Sequence, residues 1–208
     1  MHLTKIEKRI LFNCLRQAIY FVCCMLFALS LRLSAKYYGD ATFKEFGIIE
    51  NIQLGLLTLS SFSFFLLSFL SKKFKPLLML FSALCLFAFC RELDAFFEKI
   101  LPIISWKFCY IFPIFAAIYL FKTRKTLKKQ LLLFCTSPAF YIMCTAMIIF
   151  IPIAQTIGNR AFISNVLPEA TDIITIRRFI EESGEIIAYF LLFLASIEFY
   201  ISLIFKKK

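Results

Sequence analysis

Long apolar runs separated by short charged stretches organise this chain. The runs long enough to form membrane helices lie at about residues 10–31, 48–70, 76–92, 103–121, 131–153 and 179–205. The first follows a basic start and has no small-residue cleavage site after it, so it is expected to stay in place as a helix. Pro76 suits the start of the third run, and Pro138 and Pro152 are expected to bend the fifth. The predicted fold class is all-α: a polytopic transmembrane helix bundle of about six spans, forming a single integral membrane domain over residues 1–208.

The charges between the runs predict an orientation, because translocation disfavours Lys and Arg in short loops. Lys5, Lys8 and Arg9 precede the first span, and Lys72, Lys73 and Lys75 follow the second. Lys122, Arg124, Lys125, Lys128 and Lys129 follow the fourth, and Lys206, Lys207 and Lys208 end the chain. These segments alternate as six spans require, so both termini are predicted cytoplasmic. The acids then gather on the other side. Asp40, Glu45 and Glu50 lead into or open the second span, Glu92, Asp94 and Glu98 close the third, and Glu169, Asp172, Glu181, Glu182 and Glu185 lead into the sixth. Apart from Glu7 and Glu198, every acid in the chain is predicted to be extracytoplasmic.

Composition supports the membrane assignment, since 61% of residues are hydrophobic and only 5 are Gly. The formal charge of +11 would suit nucleic acid if the basic residues formed a stripe on a soluble domain. They come instead in bursts between apolar runs, which excludes that partner. The eight cysteines lie almost entirely within apolar runs and lack CxxC spacing, so they are expected to be small hydrophobes in helices.

Helical spacing groups the polar residues within the spans. Glu50 and Gln53 share a face of the second helix, Arg91, Asp94 and Glu98 a face of the third, and Arg178, Glu181, Glu182 and Glu185 a face of the sixth with Tyr189 one turn deeper. The candidate cluster is Glu50, Gln53, Arg91, Glu92, Asp94, Glu181, Glu182, Glu185 and Tyr189. Carboxylates near hydrocarbon require pairing, protonation or a polar cavity. Such a cluster can serve a hard cation such as Mg or Ca, acid–base work on a lipid or peptide, or a proton path. It can also simply neutralise charge and fasten helices, and for the outermost residues, Asp40, Glu45, Glu98, Glu169 and Asp172, that plainer role is favoured. On the opposite side, Arg16 and Glu198 reach similar depth on the first and last helices and are expected to form an ion pair; the alternative has Arg16 snorkelling and Glu198 meeting a tail lysine.

Absences narrow the chemistry. His2 is the only histidine and lies at the terminus, which disfavours histidine-dependent phosphatases and zinc metalloproteases. Asp94 has no clear aspartate partner within the membrane, against an aspartyl peptidase. Glycine-rich phosphate loops and a two-fold repeat of spans are lacking, which weakens a transporter. No cofactor motif is evident, and a divalent cation is the group the carboxylates would suit. The Phe-rich run 61–70 reads as lipid-facing or packing surface, and "KTRKTLKK" as topogenic first and attractive to anionic headgroups second.

The glutamates of "EESGE" (Glu181 to Glu185) resemble the Glu-Glu motif of CAAX-type intramembrane proteases, but the arginine and later histidines of that family are missing. "ENIQ" (Glu50 to Gln53), "RELD" (Arg91 to Asp94) and "EESGE", in this order, resemble the motifs of a type of small polytopic bacterial inner-membrane protein. That resemblance implies residence in a bacterial inner membrane and brings no substrate with it. The function expected is an envelope enzyme or permease-like protein that binds a cation, small molecule or lipid headgroup at the cluster. The alternative is a non-catalytic scaffold or assembly component whose charges lock helices and dock a partner. Its expected partners are the lipid bilayer and a membrane protein or second copy of the chain.

Overall fold

In the computed structural model, which describes residues 4–39, 47–100, 105–166 and 173–205, every regular element among the described residues is helical. The loop acids Asp40, Glu45, Glu169 and Asp172 and the lysines 206–208 lie outside the described residues. The chain divides into two units, Met1–Thr42 and Phe43–Lys208.

The first unit holds α1 (Lys5–Tyr38). Its start is a capping box: Thr4 N donates to Glu7 Oε2 at 2.7 Å, and Glu7 N donates back to Thr4 Oγ1 at 3.3 Å. The Thr4 N–H and hydroxyl hold the Glu7 carboxyl below its usual range. Gly39, at a φ of 54°, takes the left-handed conformation that ends the helix. Thr4 and Gly39 thus set α1 at 34 residues, longer than the run 10–31 implied.

In the second unit, α2 (Ile48–Leu70) and α3 (Lys75–Glu92) form an antiparallel hairpin. Pro76 stands in the first turn of α3, as expected from its fixed φ. Small polar residues let the two helices meet closely: Ser61 Oγ donates to Ser82 O at 3.0 Å inside the interface. A short α4 (Asp94–Ile100) follows, then a 3-10 stretch (Ser105–Tyr110) running into α5 (Ile111–Lys122), which packs on α3.

The basic stretch after α5 is itself helical, α6 (Arg124–Cys135). Pro138 then begins a new helix, α7 (Pro138–Ile148), because proline is preset for a first turn. The apolar run expected over 131–153 is therefore divided, and its membrane-length helical stretch starts at Pro138. Pro152 winds the continuation into a π-helical segment (Ile149–Ile157), where the wider turn accommodates the missing N–H and the ring. After α8 (Arg160–Val166) comes α9 (Ile173–Phe205), the central helix of the unit, in contact with α2, α7, the π segment and α8.

Four helical stretches are long and apolar enough to cross a membrane: Ile10–Tyr38, Ile48–Leu70, Pro138–Ile157 and Ile173–Ile204. Neither α3, which carries charges at both ends, nor the 12-residue α5 is among them. One end of the second unit has a close-packed aromatic core. Phe134 lies 5.2 Å from Phe81 and 5.5 Å from Phe199, which meets Phe74 edge-on at 5.2 Å. The Phe-rich run divides accordingly: Phe64 is buried in this core, while Phe62, Phe65 and Phe69 are exposed apolar surface.

Candidate functional site

The opposite end of the α2–α3 hairpin is polar. Gln53 lies one turn before Leu57 on the buried face of α2 and is itself fully buried. Arg91 and Glu92 form the last turn of α3, and Glu182, Glu185 and Tyr189 recur at three- and four-residue spacing along α9. These helices bring the five charged and phenolic groups together with Gln53.

Arg91 Nη2 donates to Glu185 Oε1 at 2.6 Å and lies 3.3 Å from Glu92 Oε1. Tyr189 Oη donates to the same Glu92 oxygen at 2.7 Å. Charge-assisted bonds of this kind are short, and they offset the cost of burying the carboxylates. Gln53 Nε2 donates to Glu182 Oε2 at 2.9 Å. A carboxylate accepts, so the amide nitrogen must face Glu182, and Gln53 Oε1 remains a buried acceptor with no partner among the described residues.

The π segment supplies two members that the spacing rules missed. Gln155 Nε2 donates to Glu185 Oε1 at 2.5 Å, and the Phe150 ring lies 5.5 Å from the Arg91 guanidinium carbon and 5.8 Å from the Tyr189 ring. Their signal in the sequence is Pro152, whose effect is a change of helical winding as well as a bend. Small residues make the approach possible. A Cβ on Gly184 would sit 2.7 Å from Ala154 Cβ, so the glycine of "EESGE" is what allows the π segment to lie against α9.

Beneath the cluster is an apolar cleft of about 410 Å³ bounded by α2, α3, α7 and α9. Leu57, Phe81, Met143, Ala188 and Leu192 line it, and Arg91 and Tyr189 stand at its polar end. Leu84 on α3 and Met147 on α7 also line it and are each 44% exposed, so the cleft opens to the outside of the bundle between those helices. The Arg91 side chain is 34% exposed, against 10% for Glu92 and 3% for Glu185, which makes the guanidinium the reachable member of the network.

The remaining candidates divide. Glu50, half-buried in the first turn of α2, adds its charge to the surroundings of Glu92 and Glu182. Asp94 acts electrostatically on Glu92 but is exposed at the start of α4; the helix breaks at Leu93, so Arg91, Asp94 and Glu98 do not share a helical face. Glu181 turns away and pairs with Arg177 at 3.0 Å, while Arg178 is exposed. Arg16 and Glu198, expected to pair, belong to different units. Within the first, Arg16 Nη2 donates to Asn13 Oδ1 at 3.1 Å; within the second, Glu198 is fully buried.

Among the described residues, no group of three or more His, Cys, Asp or Glu side chains converges as a metal cage. No known family model matches the chain, and no curated protein or solved structure matches it either.

Proposed function

We propose that this chain is a polytopic protein of a bacterial inner membrane and binds an amphipathic lipid. Its polar head meets the Arg91–Glu92–Glu185–Tyr189 network and its tail enters the apolar cleft. The observation that carries the proposal is the cleft itself, apolar along its length, open on the side of the bundle and closed at one end by Arg91 and Tyr189. Ligand sites of this size combine an apolar wall with a few converging polar groups.

The head chemistry follows from an imbalance. Glu92 and Glu185 share one guanidinium, Glu182 nearby has only the Gln53 amide as a donor, and Gln53 Oε1 adds a further acceptor. The site is therefore rich in acceptors and suits a head bearing donors, an amine or hydroxyls, better than an anionic one. Loop charges support about six spans, with α3 and residues 105–122 as the additional two, both termini cytoplasmic and the cluster extracytoplasmic. An envelope enzyme or a permease acting on such a lipid is the function this arrangement suits best.

Photoreactive single-chain amphiphiles with amine, polyol or carboxylate heads test it on the purified full chain. Amine or polyol probes are expected to crosslink to the wild type, and Ala88→Phe, which fills the cleft, is expected to abolish this without lowering the unfolding temperature. Equal crosslinking of Ala88→Phe and wild type would remove the lipid site. A second function, helix locking by a scaffold, is favoured by the bonds that Arg91, Glu92, Glu185 and Tyr189 make to one another across α3 and α9. In that case substitutions at these four residues lower abundance and no probe is captured in the cleft.

A further inference from the structure

At the other end of the α2–α3 hairpin lies a separate polar pocket of about 480 Å³. Lys72, Lys73 and Lys75 reach it from the α2–α3 turn and the start of α3, and Lys125 and Lys129 from α6. Five lysines line one concavity and give it a positive potential, so the pocket favours an anion over a neutral ligand.

Gln130 forms the pocket's floor and is 5% exposed. Its orientation is set by a short chain of hydrogen bonds. Thr126 Oγ1 gives its proton to Thr123 O at 2.9 Å, so it can only accept from Gln130 Nε2, 3.3 Å away. Gln130 Oε1 is thereby left as a buried acceptor without a partner among the described residues, in a pocket whose walls carry positive charge. An anion without an O–H leaves that oxygen unsatisfied. A phosphate ester with a hydroxyl beside the phosphate satisfies both features, since its oxygens meet the lysines while its O–H donates to Gln130.

We propose that this pocket binds a hydroxylated phosphate ester, of the kind carried by a glycerol-type lipid headgroup or by a free polyol phosphate. The pocket is independent of the apolar cleft and of the lipid proposed there. It differs from general attraction of the basic segment to anionic surfaces, because only some of that segment's lysines line it: Lys122 and Lys128 are exposed on the same stretch and do not.

The test compares charge-matched pairs in the full chain, purified in a neutral detergent, with phosphatidylglycerol, phosphatidylethanol and sn-glycerol 3-phosphate as probes. Lys125→Gln/Lys129→Gln is expected to weaken phosphatidylglycerol binding about tenfold, while Lys122→Gln/Lys128→Gln changes it by less than about twofold. Gln130→Leu is expected to erase the preference for phosphatidylglycerol over phosphatidylethanol, which has the same charge and no hydroxyls. Glycerol phosphate binding as tightly as the lipid would assign the site to a soluble ester; binding of the lipid alone would assign it to a headgroup. Equal loss in the two lysine pairs, or no preference for the hydroxylated head in the wild type, would overturn the proposal and leave only diffuse surface charge.

Discussion

The two ends of the α2–α3 hairpin treat charge in opposite ways. At the Arg91 end, opposite charges are drawn inward and bonded to one another, with Glu185 3% exposed and held by both Arg91 and Gln155. At the lysine end, charges of one sign stand around an open pocket, backed by the aromatic core of Phe74, Phe134 and Phe199. The difference separates two kinds of cost. Removing one member of an inward network strands its partners in a poor solvent, whereas removing an outward lysine relieves repulsion and leaves packing untouched.

That contrast orders the expected effects of substitution. Arg91→Leu is expected to be the most damaging, at about 3–5 kcal/mol in detergent unfolding, because Glu185 loses its countercharge. Adding Glu185→Leu to it should recover a large part of the loss; additive damage would show that the pair is not coupled. Gly184→Val comes next, at about 1–3 kcal/mol, since its side chain would collide with Ala154 and push the π segment from α9. Tyr189→Phe removes one hydrogen bond to Glu92 and is expected to cost about 0.6 kcal/mol, the usual scale for such bonds between membrane helices. Lys125→Gln/Lys129→Gln should stay within about 0.5 kcal/mol of the wild type in stability. If the lysine variant unfolds as readily as Arg91→Leu, the distinction between the two ends fails.

Much of the Arg91 end was legible before the structure. Charged residues inside apolar runs are costly enough to stand out, and three- and four-residue spacing put Glu182, Glu185 and Tyr189 on one face of α9. Spacing on one helix also misled. It carried the third helix through Leu93 to Asp94, where the backbone breaks, and it put Arg178 on the shared face when Arg177 is the residue that pairs with Glu181. Gln155 and Phe150 were out of reach for a different reason. Their positions depend on the winding around Pro152 and on a close approach through Gly184, and neither is a property of hydropathy. The lysine pocket was half visible: the charges marked a loop, but α6 is helical, and only its helical turn places Gln130 behind Lys125 and Lys129.

The π segment also sets the register of everything beyond it. A π turn holds about one more residue than an α turn, so rewinding the segment as ordinary helix with all its residues kept, as a Pro152→Ala change would permit, would rotate Gln155 by about 100° around the axis. Such a rewinding would leave the span's apolarity nearly unchanged while uncoupling Gln155 from Glu185. In this stretch of chain, phase matters more than composition, and a substitution that changes the winding is a larger event than most others.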